Sequence, residues 1–147
     1  MVDERSEKNL ATCKPPVAEL GRVLITAAKE KGINAKVICG SRSYAEQNDL
    51  YAQGRTLPGK IVTKAKGGQS WHNFGMAFDI GIFSPDGKKY YGESAAYQVC
   101  GEIGEKLGLE WGGDWDFVDE PHFQYNPKGY TLAQIRERHE KGLDLFS

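Results

Sequence analysis

Three histidines, and the carboxylates near two of them, are where chemistry would begin in this 147-residue chain. His72 stands in Ser70-Trp-His-Asn-Phe-Gly-Met-Ala-Phe-Asp79, and His122 in Asp119-Glu-Pro-His-Phe123. The third, His139, lies in the charged run Arg136-Glu-Arg-His-Glu-Lys141 and reads as a solvated helix residue. Imidazole and carboxylate are the donors of open zinc sites, in which three protein ligands leave a fourth position for water. His72, Asp79 and His122 are therefore the candidate set.

Spacing constrains how they could meet. Seven residues rise roughly 10.5 Å in a helix and span over about 20 Å in a strand, too far for two side chains to share one ion. The chain must fold back between His72 and Asp79, and Asn73-Phe74-Gly75 supplies turn residues at the right place. Asp79 then sits in the run Ala77-Phe-Asp-Ile80, where a buried carboxylate is costly unless paired or metal-bound. Pro121 holds Glu120 extended and donates nothing to a sheet ladder, so His122 is expected to open an edge or terminal strand facing a cleft. Asp119, three residues earlier, is placed to act as a general base without being a ligand. The residues alone leave two readings open: a metal triad, or two hydrogen-bonded histidines beside a strand-end aspartate.

The elements that would position them follow from periodicity. Val17, Leu20, Val23, Leu24, Ala27 and Ala28 predict a helix over 16–31, started by Pro15-Pro16 and ended by Gly32. Ser6 is expected to cap a short helix carrying Leu10. Residues 34–39 read as a strand stopped by Gly40, and Ser43 with Glu46 forms a capping-box signal for a helix through Ala52. Residues 55–69 show no periodicity and predict a long exposed loop of the kind that carries function. A strand from Met76 to Phe83, a Ser84-Pro-Asp-Gly87 turn and a return through Tyr90-Tyr91 come next. A helix over Ser94–Leu107, a strand over His122–Tyr125 and a helix over Thr131–Lys141 complete the chain. Strands and helices mix without βαβ alternation, which predicts an α+β fold in a single domain over 1–147.

Composition narrows the function classes. A net charge of -1, with 19 basic and 20 acidic residues, lacks the basic excess of nucleic-acid binders. No apolar run approaches the ~20 residues of a membrane span, and the polar N-terminus lacks a signal-peptide core, so cytosolic synthesis is expected. Cys13, Cys39 and Cys100 are odd in number and far apart, and read as buried free thiols. Nothing suggests an obligate interface, and a monomer is expected.

The motifs together resemble a known family. Ser70-x-His72-x-x-Gly75-x-Ala77-x-Asp79 followed by Asp119-x-Pro121-His122-Phe123 is similar to the zinc D-Ala-D-Ala carboxypeptidases and dipeptidases, nearest in look to the L-alanyl-D-glutamate endopeptidases of phage endolysins and bacterial wall hydrolases. Gly40-Ser-Arg42-Ser-x-x-Glu46-Gln47, Leu50-Tyr-Ala-Gln-Gly54-Arg-Thr56 and Trp111-Gly-Gly-Asp-Trp115 extend the likeness over about residues 16–138.

The resemblance implies a small antiparallel sheet flanked by helices around an open zinc site, the LAS-type peptidase fold. It implies zinc on His72, Asp79 and His122, with Asp119 as general base. Arg42 is implied to stabilise the oxyanion or hold substrate, Ser70 to position substrate, and Trp111 and Trp115 to shape the cleft wall. Gln47 is implied to make a polar contact near Arg42 at the substrate site. The expected partner is the peptidoglycan stem peptide, with neither nucleic acid nor membrane insertion, and the expected reaction is cleavage between L-Ala and D-Glu at the wall after release at lysis. D-Alanyl-D-alanine carboxypeptidase activity and a non-catalytic zinc-binding module are the alternatives.

Overall fold

The structure is a computed structural model and describes residues 2–147. Two helices open the chain, α1 over Glu4–Leu10 and α2 over Pro15–Glu30. The Pro15-Pro16 pair sits in the first turn of α2, where the missing N–H costs nothing. The cap of α1 differs from expectation. Asp3, not Ser6, caps the helix, accepting from the Ser6 N–H. Ser6 lies buried one turn in, where its hydroxyl donates to Asp3 and accepts from the Val37 N–H. A hydroxyl with those two partners ties α1 to the sheet and does more there than at a cap.

The sheet is assembled from β1 (Asn34–Cys39), β2 (Ala77–Phe83), β3 (Tyr90–Tyr91), β4 (Glu110–Trp111) and β5 (His122–Gln124). Its order is β1-β2-β5-β4 with β3 beside the far end of β2, and every pairing is antiparallel. The sequence pattern misses β4, because two residues are too few to show a period. Between β1 and β2 run α3 (Tyr44–Ala52), the long loop and a short 3-10 turn over Trp71–Phe74. Ser43 and Glu46 form the capping box that starts α3. Helix α4 (Ala96–Lys106) and helix α5 (Leu132–Glu140, capped by Thr131) follow β3 and β5.

The core lies where α1, α2 and α4 meet one face of the sheet. Leu10, Val17, Leu24, Val37, Phe78, Ile80, Tyr97 and Phe123 are buried there. A second cluster of Phe74, Met76, Ile135 and Leu145 fastens α5 to the 3-10 turn. His139 is exposed as expected, although its ring sits 5.2 Å from that of Phe74. Cys13 and Cys100 are buried and Cys39 is half-buried, and all three are free.

Candidate active site

Local folding explains how residues seven apart converge. Ser70 caps the 3-10 turn through its hydroxyl, which accepts from the His72 N–H at 3.3 Å. Gly75 then takes a left-handed conformation, φ +70, which reverses the chain with no Cβ penalty. Strand β2 starts two residues later, so Asp79 returns beside His72. On β2, Asp79 is the direct cross-strand partner of His122. Such neighbours have Cβ atoms about 5 Å apart, and the register alone brings the two side chains together.

The resulting geometry is tight. His72 Nε2 lies 3.1 Å from Asp79 Oδ1, and His122 Nδ1 lies 3.3 Å from the same oxygen. The two imidazoles meet edge to face with centroids 5.0 Å apart. Each ring is oriented from behind. His72 Nδ1 donates to the Gly40 carbonyl at 2.8 Å. His122 Nε2 is 2.8 Å from Gln124 Oε1, and the Gln124 amide in turn donates to Glu110 at 2.7 Å. Because that amide must donate to Glu110, its oxygen faces His122, and the ring nitrogen there carries the proton.

These outer bonds decide whether a metal fits. With protons held on the far nitrogens, His72 Nε2 and His122 Nδ1 turn lone pairs toward a carboxylate oxygen. Three acceptors crowded together repel unless positive charge sits among them. Zinc bonds of about 2 Å in a tetrahedron put neighbouring donor atoms about 3.3 Å apart, and both separations here match. In the absence of an ion the same demand falls on protons. Burial alone would raise the Asp79 carboxyl, but hydrogen bonds from His122 and His72 overcome it and hold the group well below the usual carboxylate range. Burial likewise opposes charge on His72, yet the bond to Asp79 raises it to about 9. The donor set fits a divalent cation.

Cys39 also comes near. Its sulfur, a His72 ring nitrogen and an Asp79 oxygen lie within 4.8 Å of one another, since Cys39 pairs with Asp79 across β1 and β2. The thiol, however, rests against the Gly40 carbonyl at 3.6 Å, on the side of His72 already closed by the Nδ1 bond. His122 is the better third donor.

The triad opens into a cleft of about 470 Å³ lined by Arg42, Ser70, Trp115 and Asp119, together with Val62, Thr63 and Ala65 of the long loop. Two larger hollows, about 560 and 590 Å³, run along α2 and hold no histidine, so volume does not pick out the site. Arg42 Nη2 reaches Asp79 Oδ2 at 3.4 Å. Trp115 lies over His122 with ring centroids 5.0 Å apart. Asp119 is half-buried, and burial, followed by the charge of Asp79, raises its carboxyl above the ordinary value. The loop carrying it is pinned: the Asp119 N–H donates to Gly112 at 2.9 Å, and the Trp111 indole donates to the Glu120 carbonyl at 2.7 Å.

Two expected positions differ. Trp111 is not on the cleft wall. It is buried against Gly101 and Gly113, glycines that leave room for an indole, and it acts by holding the loop of Asp119. Gln47 makes the expected polar contact with Arg42, its Oε1 accepting from Nη1 at 3.3 Å, but it is fully buried behind Arg42 rather than facing substrate. Residues not foreseen are Gly40, Gln124 and Glu110. Gln124 had a readable signal, since a polar residue two positions after His122 on a strand shares its face.

Comparison with known proteins bears on this geometry. The chain is 42% identical over 123 residues to the peptidoglycan L-alanyl-D-glutamate endopeptidase CwlK of Bacillus subtilis, covering 77% of this chain and 73% of that protein. The profile of the D-alanyl-D-alanine carboxypeptidase family, an M15 peptidase family, matches residues 63–125. The chain belongs to the M15 peptidase family. A shorter match, 43% over 58 residues, joins it to the L-alanyl-D-glutamate peptidase of Listeria phage A118, covering 38% of this chain and 17% of that one. The fold is shared with the zinc-bound D,D-pentapeptidase VanY of a VanB-type resistance cassette, TM-score 0.58 at 19% identity over 90% of this chain and 81% of that one. The profile segment contains His72, Asp79, Asp119 and His122.

Proposed function

We propose that this chain is a zinc peptidase that hydrolyses the L-Ala–D-Glu bond of peptidoglycan stem peptides. The observation that carries the metal is the pair of outward-held histidine protons, which leaves His72 and His122 as lone-pair donors toward Asp79. Zinc held by these three side chains supplies Lewis acidity toward a carbonyl and lowers the pKa of a water beside it.

The rest of the chemistry belongs to the protein. Asp119, raised by its surroundings, takes a proton from the attacking water and passes it to the departing amine. Arg42 presents a guanidinium to the carbonyl oxygen as charge builds there, a contribution of about 2.7–4 kcal/mol for one well-placed donor. Trp115 covers His122 and forms one wall, and Ser70 fixes the turn that carries His72.

The scissile bond is inferred from two supports. The curated relatives are named as L-alanyl-D-glutamate peptidases. In addition, Arg42 is the one cation among the described cleft residues, and Gln47 and Asp79 already engage it. A carboxypeptidase needs a cation for the terminal carboxylate, and none of the other described lining side chains is a Lys or Arg. No described helix is long and apolar enough to cross a membrane, and the proposed place of action is the cell wall.

A stem pentapeptide ending in D-Ala-D-Ala, prepared with a free and with an amidated C-terminus, tests the assignment. The endopeptidase reading expects both to be cut at L-Ala–D-Glu at similar rates. Cleavage of the free form alone, at its last residue, would move the enzyme to the carboxypeptidase branch.

A further inference from the structure

Arg42 is held at both ends, its backbone by the turn that carries His72 and its guanidinium by Gln47 as well as by Asp79. Its N–H donates to the His72 carbonyl at 3.0 Å, and its own carbonyl accepts from the Asn73 amide at 3.1 Å. The backbone of Arg42 is thus tied to the turn carrying His72. At the other end, Nη1 donates to Gln47 Oε1 at 3.3 Å.

Gln47 is fully buried on α3, and its amide nitrogen donates to the Ala65 carbonyl at 2.9 Å and lies 3.5 Å from the Thr63 hydroxyl. The two ends of the amide cannot be exchanged. Reversed, it would set N–H groups against a guanidinium and an oxygen against a carbonyl. Thr63 and Ala65 belong to the long loop and line the far side of the cleft. The Thr63 hydroxyl also accepts from the Ala65 N–H at 3.1 Å, and the Thr63 carbonyl accepts from Arg55 at 3.1 Å, so the loop is braced at the point Gln47 touches.

We propose that Gln47 is a positioning residue that sets the Arg42 guanidinium against the wall formed by Thr63 and Ala65, so that the seating of substrate against that wall fixes the oxyanion donor. The proposal rests on the peptidase reading above. A buried glutamine serving only to fill space would need neither partner. Here one amide joins a reacting-centre cation to a substrate-facing loop, and no other described side chain bonds both. Without Gln47 the guanidinium keeps only its contact with Asp79 Oδ2 at 3.4 Å, and its effect on a developing oxyanion falls with displacements of about 1 Å.

The test uses Gln47→Met, of similar volume and without polar atoms, and Gln47→Glu, which can still accept from Arg42 but cannot donate to Ala65. Steady-state kinetics on the stem pentapeptide, zinc content and thermal melting are measured for both. Positioning through Arg42 expects Gln47→Met to lower kcat about 10–100-fold with KM within about twofold and zinc content unchanged. It expects Gln47→Glu to retain more activity than Gln47→Met. A space-filling role expects the reverse order, because a buried carboxylate costs more than a thioether.

Combining Gln47→Met with Arg42→Ala adds a second reading. If Gln47 acts through Arg42, the double variant is no slower than Arg42→Ala alone. Additive losses, or a melting change that accounts for the lost activity, would overturn the proposal. Should Gln47→Met fail to fold, the kcat–KM split of Gln47→Glu and its additivity with Arg42→Ala decide alone. Failure of the wild-type protein to cut the pentapeptide at all would instead refute the peptidase reading.

Discussion

Gln124→Leu tests the reasoning that outer hydrogen bonds make the metal site. Gln124 is 4% exposed and holds the proton of His122 on Nε2 by a 2.8 Å contact, itself set by the 2.7 Å bond to Glu110. Leucine keeps the volume and removes the acceptor. The buried ring then has an unpaired N–H, and its other tautomer becomes competitive: with the proton on Nδ1 it satisfies Asp79 directly at 3.3 Å and is closed to a cation. Loss of a partner of this kind typically costs 10–100-fold in metal affinity, or about 1.4–2.7 kcal/mol. Zinc affinity is read by competition with a chromophoric chelator, with circular dichroism as the check on folding. The companion Gln124→Glu retains an acceptor for His122 and is expected to bind zinc more tightly than Gln124→Leu. Affinity of Gln124→Leu within about twofold of wild type, in a folded protein, would refute the claim that the relay from Glu110 prepares the ligand.

Further outcomes follow from the same structure. Asp119→Asn is expected to lower kcat by about 10²–10⁴ while zinc content stays the same, whereas Glu120→Ala retains turnover. The reverse pattern in a peptide-cleavage assay would reassign the base. Gly101→Ala places a methyl into the Trp111 indole and is expected to destabilise by about 1–3 kcal/mol in denaturant unfolding. Ser43→Ala removes the side chain that accepts from the Glu46 N–H at 3.0 Å, with an expected loss of about 0.5–2 kcal/mol. Saturating zinc binds the folded triad and not the scattered residues of the unfolded chain. It is therefore expected to raise the melting temperature, and a chelator to lower it again.

Much of this arrangement is legible in residues whose meaning is local. Pro15-Pro16, Ser43 with Glu46, and Ser84-Pro-Asp-Gly87 announce helix starts and a turn because their physics acts within a few residues. Gly75 was readable for the same reason, since a chain reversal between His72 and Asp79 demands a left-handed residue. Trp111 shows where such reading stops. An aromatic in a Gly-rich run looks the same whether it faces a cleft or a core, and only the room left by Gly101 on α4 decides for the core. Gln47 is a similar case: its motif points to the site, but its burial depends on a loop sixteen to eighteen residues away. Strand β4 and the Glu110–Gln124 bond depend on cross-strand register, which a two-residue strand cannot signal.

The most direct test is mass spectrometry of purified peptidoglycan digested by the zinc-loaded protein, with a chelated sample beside it. Zinc-dependent cleavage between L-Ala and D-Glu predicts fragments with new D-Glu amino termini that are absent after chelation and return when zinc is restored. Loss of terminal D-Ala alone, cleavage that persists after zinc is removed, or intact peptidoglycan in both samples would contradict it.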